Sequence, residues 1–426
     1  MTGSGRAWAH RVGVGSTVRE IFRGELMKRM FRFAVMAVAM VSTLALVACG
    51  GEKKDDKAAG AKEIKVGAIM DLSGPTSSVG VPYAEGVKAG AAYLNAQGGI
   101  AGLKIALDVQ DDAYKAQQGL TIYKKFVQDK VVAIQGHGTA TTEALMRAAA
   151  KDEITYFSAS YSAHLTDPKT APFNFFTSAD YSTQVRAALK YFKSNWKESR
   201  KPKLAFLYPD HPYGISPIQA AKDYAAELGF ELVGEANVDL KAIDATTQLL
   251  PLKDKKPDFV WCGGTTPSTA VILKDAKKIG LKAVFFTNIW GSDENLIKMA
   301  GDAAEGAYSL QAAAVYGQDV PGMKAILEVS KNQPQMTHYI RGFVSMLAMG
   351  EGIRLAAAKG PVTGASIKAA VETMKDFDPM GLAPKISFLP TDHRPSMAVF
   401  LYKIVGGKLT FVAQETLDRK AEWLGK

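Results

Sequence analysis

From residue 64 onward, short apolar runs alternate with longer segments whose apolar positions recur every three or four residues, the periods of strand and helix. Residues 64–69 read as a first strand, 81–96 as a helix, 104–109 as a second strand and 116–128 as a second helix. The apolar run 131–134 gives a third strand, 135–139 its loop and 142–150 a third helix. A second series starts after Asn174-Phe175-Phe176-Thr177, with strand 203–208, helix 216–228, strands 231–236 and 259–262, helix 266–279 and strand 283–287. The stretch 251–257, with a proline at each end, reads as the loop before a buried strand. Helices at 336–359 and 363–374 follow, and a hairpin pairs 397–404 with 408–413 across Gly406-Gly407. Such alternation predicts an α/β fold of parallel, doubly wound sheets with helices on both faces. Residues 63–426 exceed the roughly 250–300 residues that one core serves, so the two series are expected to form two Rossmann-like lobes.

Ahead of this region the pattern changes. Lys28, Arg29 and Arg32 precede an apolar run from Phe33 to Leu46, which ends in Val47-Ala48-Cys49. The run is short for a membrane span, which takes roughly 20 residues, and a basic start, an apolar middle and a small-residue cleavage site define an export signal. The stretch resembles the lipobox of bacterial lipoproteins, with Val47 as a departure from its commonest pattern. It implies cleavage before Cys49 and a lipid on that residue. Residues 1–48 are therefore set aside as upstream extension and signal, with Met27 or Met30 as the natural start. Residues 49–62, rich in Gly, Ala and Lys, are expected to be a flexible tether. The expected location is the periplasm or another extracytoplasmic space, on a membrane through the lipid.

Charge follows from the same division. Residues 1–48 hold seven Lys/Arg and two Asp/Glu, which accounts for +5 of the whole-chain +10. The remainder is mildly basic and has no basic face interleaved with aromatics, so nucleic acid is not an expected partner. Cys262 has no second internal cysteine to pair with and sits in an apolar run, as a buried, inert thiol does. The six histidines lack metal-ligand spacing, and no nucleophile elbow or dinucleotide turn follows a strand. Asp111-Asp112 precede a helix, where acids complement the macrodipole, and are read as capping and solvated groups. No catalysis, cofactor or metal is expected, and the chain is expected to be a monomer.

Ligands of such sheets bind at the carboxyl ends of strands, where helix N-termini present free N–H groups. Here those loops concentrate Gly, Ser and Thr, at 72–78, 136–142, 158–162 and 263–266. Hydroxyls and close-approaching backbone amides suit a carboxylate. His137, within one of these loops, reads as a solvated or backbone-bonded imidazole in preference to a ligand contact.

The chain from Glu63 to Phe411 resembles the solute-binding proteins of ABC transporters, of the leucine/isoleucine/valine-binding type. The resemblance rests on Ser73-Gly74-Pro75, on Asn95-Ala96-Gln97-Gly98-Gly99-Ile100-Ala101-Gly102, on Asp111-Asp112, on Tyr213-Gly214 and on Gly263-Gly264 with Gly280-Leu281, in that order. It implies the type I periplasmic binding protein fold: lobe one from 63–181 and 312–388, lobe two from 182–311 and 389–426, with hinge crossings near 178–184, 306–313 and 386–391. It also implies capture of a small carboxylate-bearing solute, a branched-chain or related amino acid, for delivery to an ABC permease. Carried over residue by residue, the carboxylate pocket falls on Gly138, Thr139 and Thr141, with Ala159, Ser160 and Tyr161 in the second loop and Ser78 and Val79 at the entrance. From lobe two come Tyr213 and Thr265. The acid that would receive an ammonium is replaced by Asn288, Ile289 or Trp290, and the next carboxylate is Asp293. Either Asp293 reaches the site, or the solute lacks an ammonium, as an aromatic or short organic acid, an amide or a urea-like solute would. In the second case Trp290 is a stacking platform. A ligand-sensing module is the alternative role for the same fold.

Overall fold

The computed structural model describes residues 62–426, so the export signal, Cys49 and nearly all of the tether lie outside the described residues. Within them the chain forms two sheets. The first has five parallel strands in the order β2-β1-β3-β4-β5, from β1 (Glu63–Met70), β2 (Lys104–Asp111), β3 (Ala133–Gly136), β4 (Thr155–Ser158) and β5 (Asn174–Phe175). The second runs β12-β11-β10-β9-β8-β6-β7. Its parallel part comprises β6 (Lys203–Tyr208), β7 (Glu231–Asn237), β8 (Phe259–Cys262), β9 (Val284–Thr287) and β10 (Tyr308–Gln311). The hairpin of β11 (Ala398–Val405) and β12 (Lys408–Thr416) adds an antiparallel edge. Strands β3, β4 and β8 are buried at every position, as parallel strands covered on both faces are.

Helices α1 (Ser77–Ala96), α2 (Ala116–Gln128) and α3 (Thr139–Lys151) accompany the first sheet, and α4 (Tyr181–Ser194) leads the chain to the second. There follow the single turn α5 (Pro212–Ile215), α6 (Ile218–Glu227), α7 (Thr246–Lys255), α8 (Thr266–Ile279) and α9 (Glu294–Ala300). After β10 the chain returns to the first sheet, where α10 (Met323–Val329) and the long α11 (Thr337–Ala357) pack on α1, and α12 (Gly364–Val371) packs on β4. It then passes to the second sheet again at β11.

The elements differ from expectation at the prolines. The stretch from Pro251 is not a loop: α7 continues through it to Lys255, because Leu249 and Leu252 bury their side chains in the second-sheet core. The missing Pro251 N–H removes a single helical bond, which this burial outweighs. The helix expected at 216–228 is α6, which starts only after Pro217, and the single turn α5 precedes it. Strands β4, β5 and β10 are too short, at two to four residues, to carry a periodic signal. No helix of the described residues is long and apolar enough to cross a membrane.

Candidate functional site

The carboxyl ends of β3 and β4 face those of β6, β8 and β9 across a narrow cavity of about 20 Å³. The first-sheet side supplies Thr76, Val79, Tyr114, His137, Gly138, Thr139 and Ala159. The second supplies Tyr213, Thr265 and Trp290, and Tyr181 comes from the start of α4. That is room for about one water, so a solute enters only as the walls move apart.

Gly138 makes the key turn. Its φ of 96° sends the chain from β3 straight into α3, and no side chain caps that helix. The first N–H groups of α3 therefore meet the cavity with the positive end of the helix dipole behind them. Thr139 Oγ1 lies 2.8 Å from Ser160 Oγ, which fixes the hydroxyl at the rim. On the opposite wall Asn288 Nδ2 donates to Tyr213 Oη at 2.8 Å, and that hydroxyl donates to Gly264 O at 2.8 Å. Thr265 Oγ1 is buried and has no hydrogen-bond partner. Trp290 Nε1 donates to Tyr181 Oη at 2.9 Å, and its ring lies parallel to that of Tyr161, with centroids 5.6 Å apart.

Of the residues expected at the site, Val79, Gly138, Thr139, Ala159, Tyr213, Thr265 and Trp290 line this cavity together. The others do not line it. Ser78 is exposed, because α1 begins at Ser77 and turns Thr76 and Val79 inward instead. Thr141 Oγ1 donates to Asp112 Oδ2 at 2.5 Å. Ser160, Tyr161 and Asn288 stand one layer back, behind Thr139, Trp290 and Tyr213. Asp293, 1% exposed, caps α9 through Asn295 N and Leu296 N, and also binds Thr266 Oγ1 at 2.8 Å and His338 Nε2 at 2.9 Å. No lining residue is acidic.

Three lining residues, Thr76, Tyr114 and Tyr181, were not expected at the site, and His137, for which a ligand contact was the less favoured reading, lines it as well. His137 is neither solvated nor fully bonded; it is buried with Nδ1 unpartnered. Burial pulls its pKa down to about 4 against the opposing pull of Asp71, so it is neutral at pH 7. Tyr114 enters because Ala113 and Tyr114 both take positive φ, a turn that only the position of the Asp111-Asp112 pair hinted at. Those two acids are engaged locally: Asp111 Oδ1 accepts from Leu72 N and Ala113 N, and Asp112 Oδ1 from Tyr114 N. Asp112 is fully buried rather than solvated, since its oxygens are spent on the turn and on Thr141. With Asp71 they form the one group of acids close enough to hold a metal among the described residues. Asp71 also accepts from Gly74 N and Thr76 N, so loop N–H groups already occupy oxygens of the cluster.

This geometry has known counterparts. The periplasmic binding protein family model matches residues 63–408. The Leu/Ile/Val-binding protein of Citrobacter freundii is 27% identical over 283 residues, 65% of this chain and 74% of that protein. A crystal structure of an ABC transporter substrate-binding protein from Aeropyrum pernix is 31% identical, with a TM-score of 0.79 over 85% of this chain and 98% of its own. A branched-chain amino acid ABC transporter protein from Thermus thermophilus with bound valine has the same fold, at 24% identity, a TM-score of 0.79 and coverage of 85% and 98%. The chain belongs to the periplasmic binding protein family, whose members bind solutes and are not enzymes.

Proposed function

We propose that this periplasmic binding protein captures a small carboxylate-bearing solute between its sheets and delivers it to an ABC permease. The observation that carries the reading is the uncapped start of α3 at Gly138-Thr139, facing Tyr213 and Thr265 across the cavity. The carboxylate sits on the α3 amides and the Thr139 hydroxyl, and the second-sheet aromatics close over the rest. The lobes are 63–181 with 312–388 and 182–311 with 389–426, and they hinge near 178–184, 306–313 and 386–391. Solute shifts the population toward the closed form that the permease recognises. A lipid on Cys49 and the tether that follows hold the receptor beside its transporter and raise its effective concentration there.

The relatives named for leucine, isoleucine and valine support an amino-acid ligand, but the lining favours a different solute. An ammonium enclosed without a carboxylate costs several kcal/mol in rough terms, and no lining residue is acidic. The solute is therefore an organic acid without an ammonium.

Calorimetry and thermal shift on the full chain test this against branched-chain amino acids, short and aromatic organic acids, amides and ureas. Acids are expected to bind at least ~10-fold tighter than the amino acids of like size, which is about 1.4 kcal/mol. Tighter binding of leucine or valine restores the amino-acid reading, and no heat or shift across the panel overturns capture altogether. Gly138→Ala is expected to abolish the shift, since the new Cβ would stand 2.7 Å from the Tyr114 ring at a strained φ.

A further inference from the structure

Trp290 lines the cavity and also packs into a compartment behind it. That compartment is walled by Tyr83, His137, Tyr161 and His338, with ring centroids 5.8, 5.4, 5.6 and 5.2 Å from the Trp290 ring. The Arg341 guanidinium lies over the ring at 4.7 Å. All five of these neighbours are buried, and between them they leave six polar atoms without a hydrogen-bond partner: Tyr83 Oη, Tyr161 Oη, His137 Nδ1, His338 Nδ1, and Arg341 Nε and Nη1. Native interiors leave few such atoms, and packing alone does not gather six around one indole.

Arg341 is the centre of the problem. It is 2% exposed, and among the described residues its guanidinium makes one hydrogen bond, to Gln311 Oε1 at 3.2 Å, and no ion pair. Neither nearby acid forms an ion pair with it: Asp293 bonds His338 and Thr266, and Glu294 accepts from Thr337 N through Oε2 while its Oε1 is buried without a partner. Burial draws its pKa down to about 10, which leaves it a cation at neutral pH. A buried cation without a contacting anion costs several kcal/mol in rough terms, and the unpartnered Nη1 and Nε N–H groups, which point to different sides of the guanidinium, are each a charged donor for an anion's oxygen.

We propose that this compartment is a second anion subsite. Arg341, with the hydroxyls of Tyr83 and Tyr161, receives the distal carboxylate of a small dicarboxylate whose first carboxylate sits at the start of α3. Trp290 turns aside as the solute enters and stacks on it. The assignment rests on the capture reading above and narrows it: an uncapped helix end, a free guanidinium and a lining without acids match two carboxylates and no ammonium.

The test is calorimetry of the full chain with aliphatic α,ω-dicarboxylates of three to six carbons and with their monomethyl esters. A diacid is expected to bind about 10–100-fold tighter than its ester, the worth of hydrogen bonds to a charged group. In Arg341→Met this ratio is expected to fall to about one. Tyr83→Phe and Tyr161→Phe remove hydroxyls that have no partner in the protein, so each is expected to lower the ratio about 3–10-fold without lowering the thermal midpoint. These two variants carry the test if Arg341→Met does not fold. Equal binding of diacid and ester, or a ratio that all three substitutions leave unchanged, overturns the second subsite while capture of a monocarboxylate stands. Absence of binding by every solute tried overturns the capture reading itself.

Discussion

Two buried histidines flank Trp290, and their environment makes the protein sensitive to acid. Burial, with Arg341 adding to it and Asp293 opposing, pulls the His338 pKa from 6.5 to about 4. His137 falls to about 4 by burial, against Asp71. The unfolded chain takes up these protons near pH 6.5, whereas the folded chain does so only near pH 4. The stability held above pH 6.5 is therefore lost as the pH falls toward 4, by on the order of 3 kcal/mol per histidine. Asp293 adds to the loss at lower pH: burial raises its carboxyl, but hydrogen bonds from His338 and Thr266 outweigh that and hold it below the ordinary range. Urea unfolding at pH 7 and pH 4.5 is expected to show a fall that His338→Gln reduces, because glutamine keeps a donor for Asp293 without a titrating ring. An equal fall in the variant would contradict this account. None of these roles was legible in the chain, where His338 and Arg341 are two polar residues in a helical segment.

Between α1 and α11 the packing depends on glycine. A Cβ on Gly86 would stand 1.9 Å from Tyr339 O, and one on Gly342 would stand 2.0 Å from Tyr83 O. The two glycines face each other's backbones reciprocally, and Gly90 repeats the contact against Met346. Without side chains at these positions the two helices approach closely, which brings Tyr83 and Arg341 to the same compartment. Gly86→Ala is expected to destabilise the fold by about 1–3 kcal/mol through overpacking, even though alanine is the better helix former. A urea midpoint equal to or above that of the parent chain would refute the close contact. The sequence showed both helices through their apolar period but gave no sign that they pair, since their partners lie far apart in the chain.

Among the described residues, side chains that follow the two sheets meet in direct contact. Ser162 Oγ donates to Ser216 Oγ at 3.1 Å, Tyr114 stacks on His211 with centroids 5.1 Å apart, and Asp293 reaches His338 at the start of α11. In a Cys49→Ser background, the double substitution Ser162→Cys and Ser216→Cys is expected to form a disulfide that locks this state. Cys262 does not interfere, being buried with its thiol pushed well above the ordinary range. Bound solute should then leave the oxidised protein at least ~100-fold more slowly than the reduced one. Equal release rates in the two would show that these faces do not part when solute leaves.

What the sequence determined by itself is the layer architecture and the identity of the site-bearing loops. Both follow from local rules: strand and helix periods fix the elements, and in a parallel sheet the loops after the strands carry the Gly, Ser and Thr that meet an anion. Gly138, Thr139, Ala159 and Thr265 lie in those loops, whereas Tyr213 came only from the family resemblance. The tertiary structure alone decided which side of each loop faces inward, so that Thr76 replaces Ser78 and Asp293 turns away to His338. It alone also brought Arg341 to Trp290, because that meeting depends on how the chain returns to the first sheet after β10, and no local pattern records such a long-range contact.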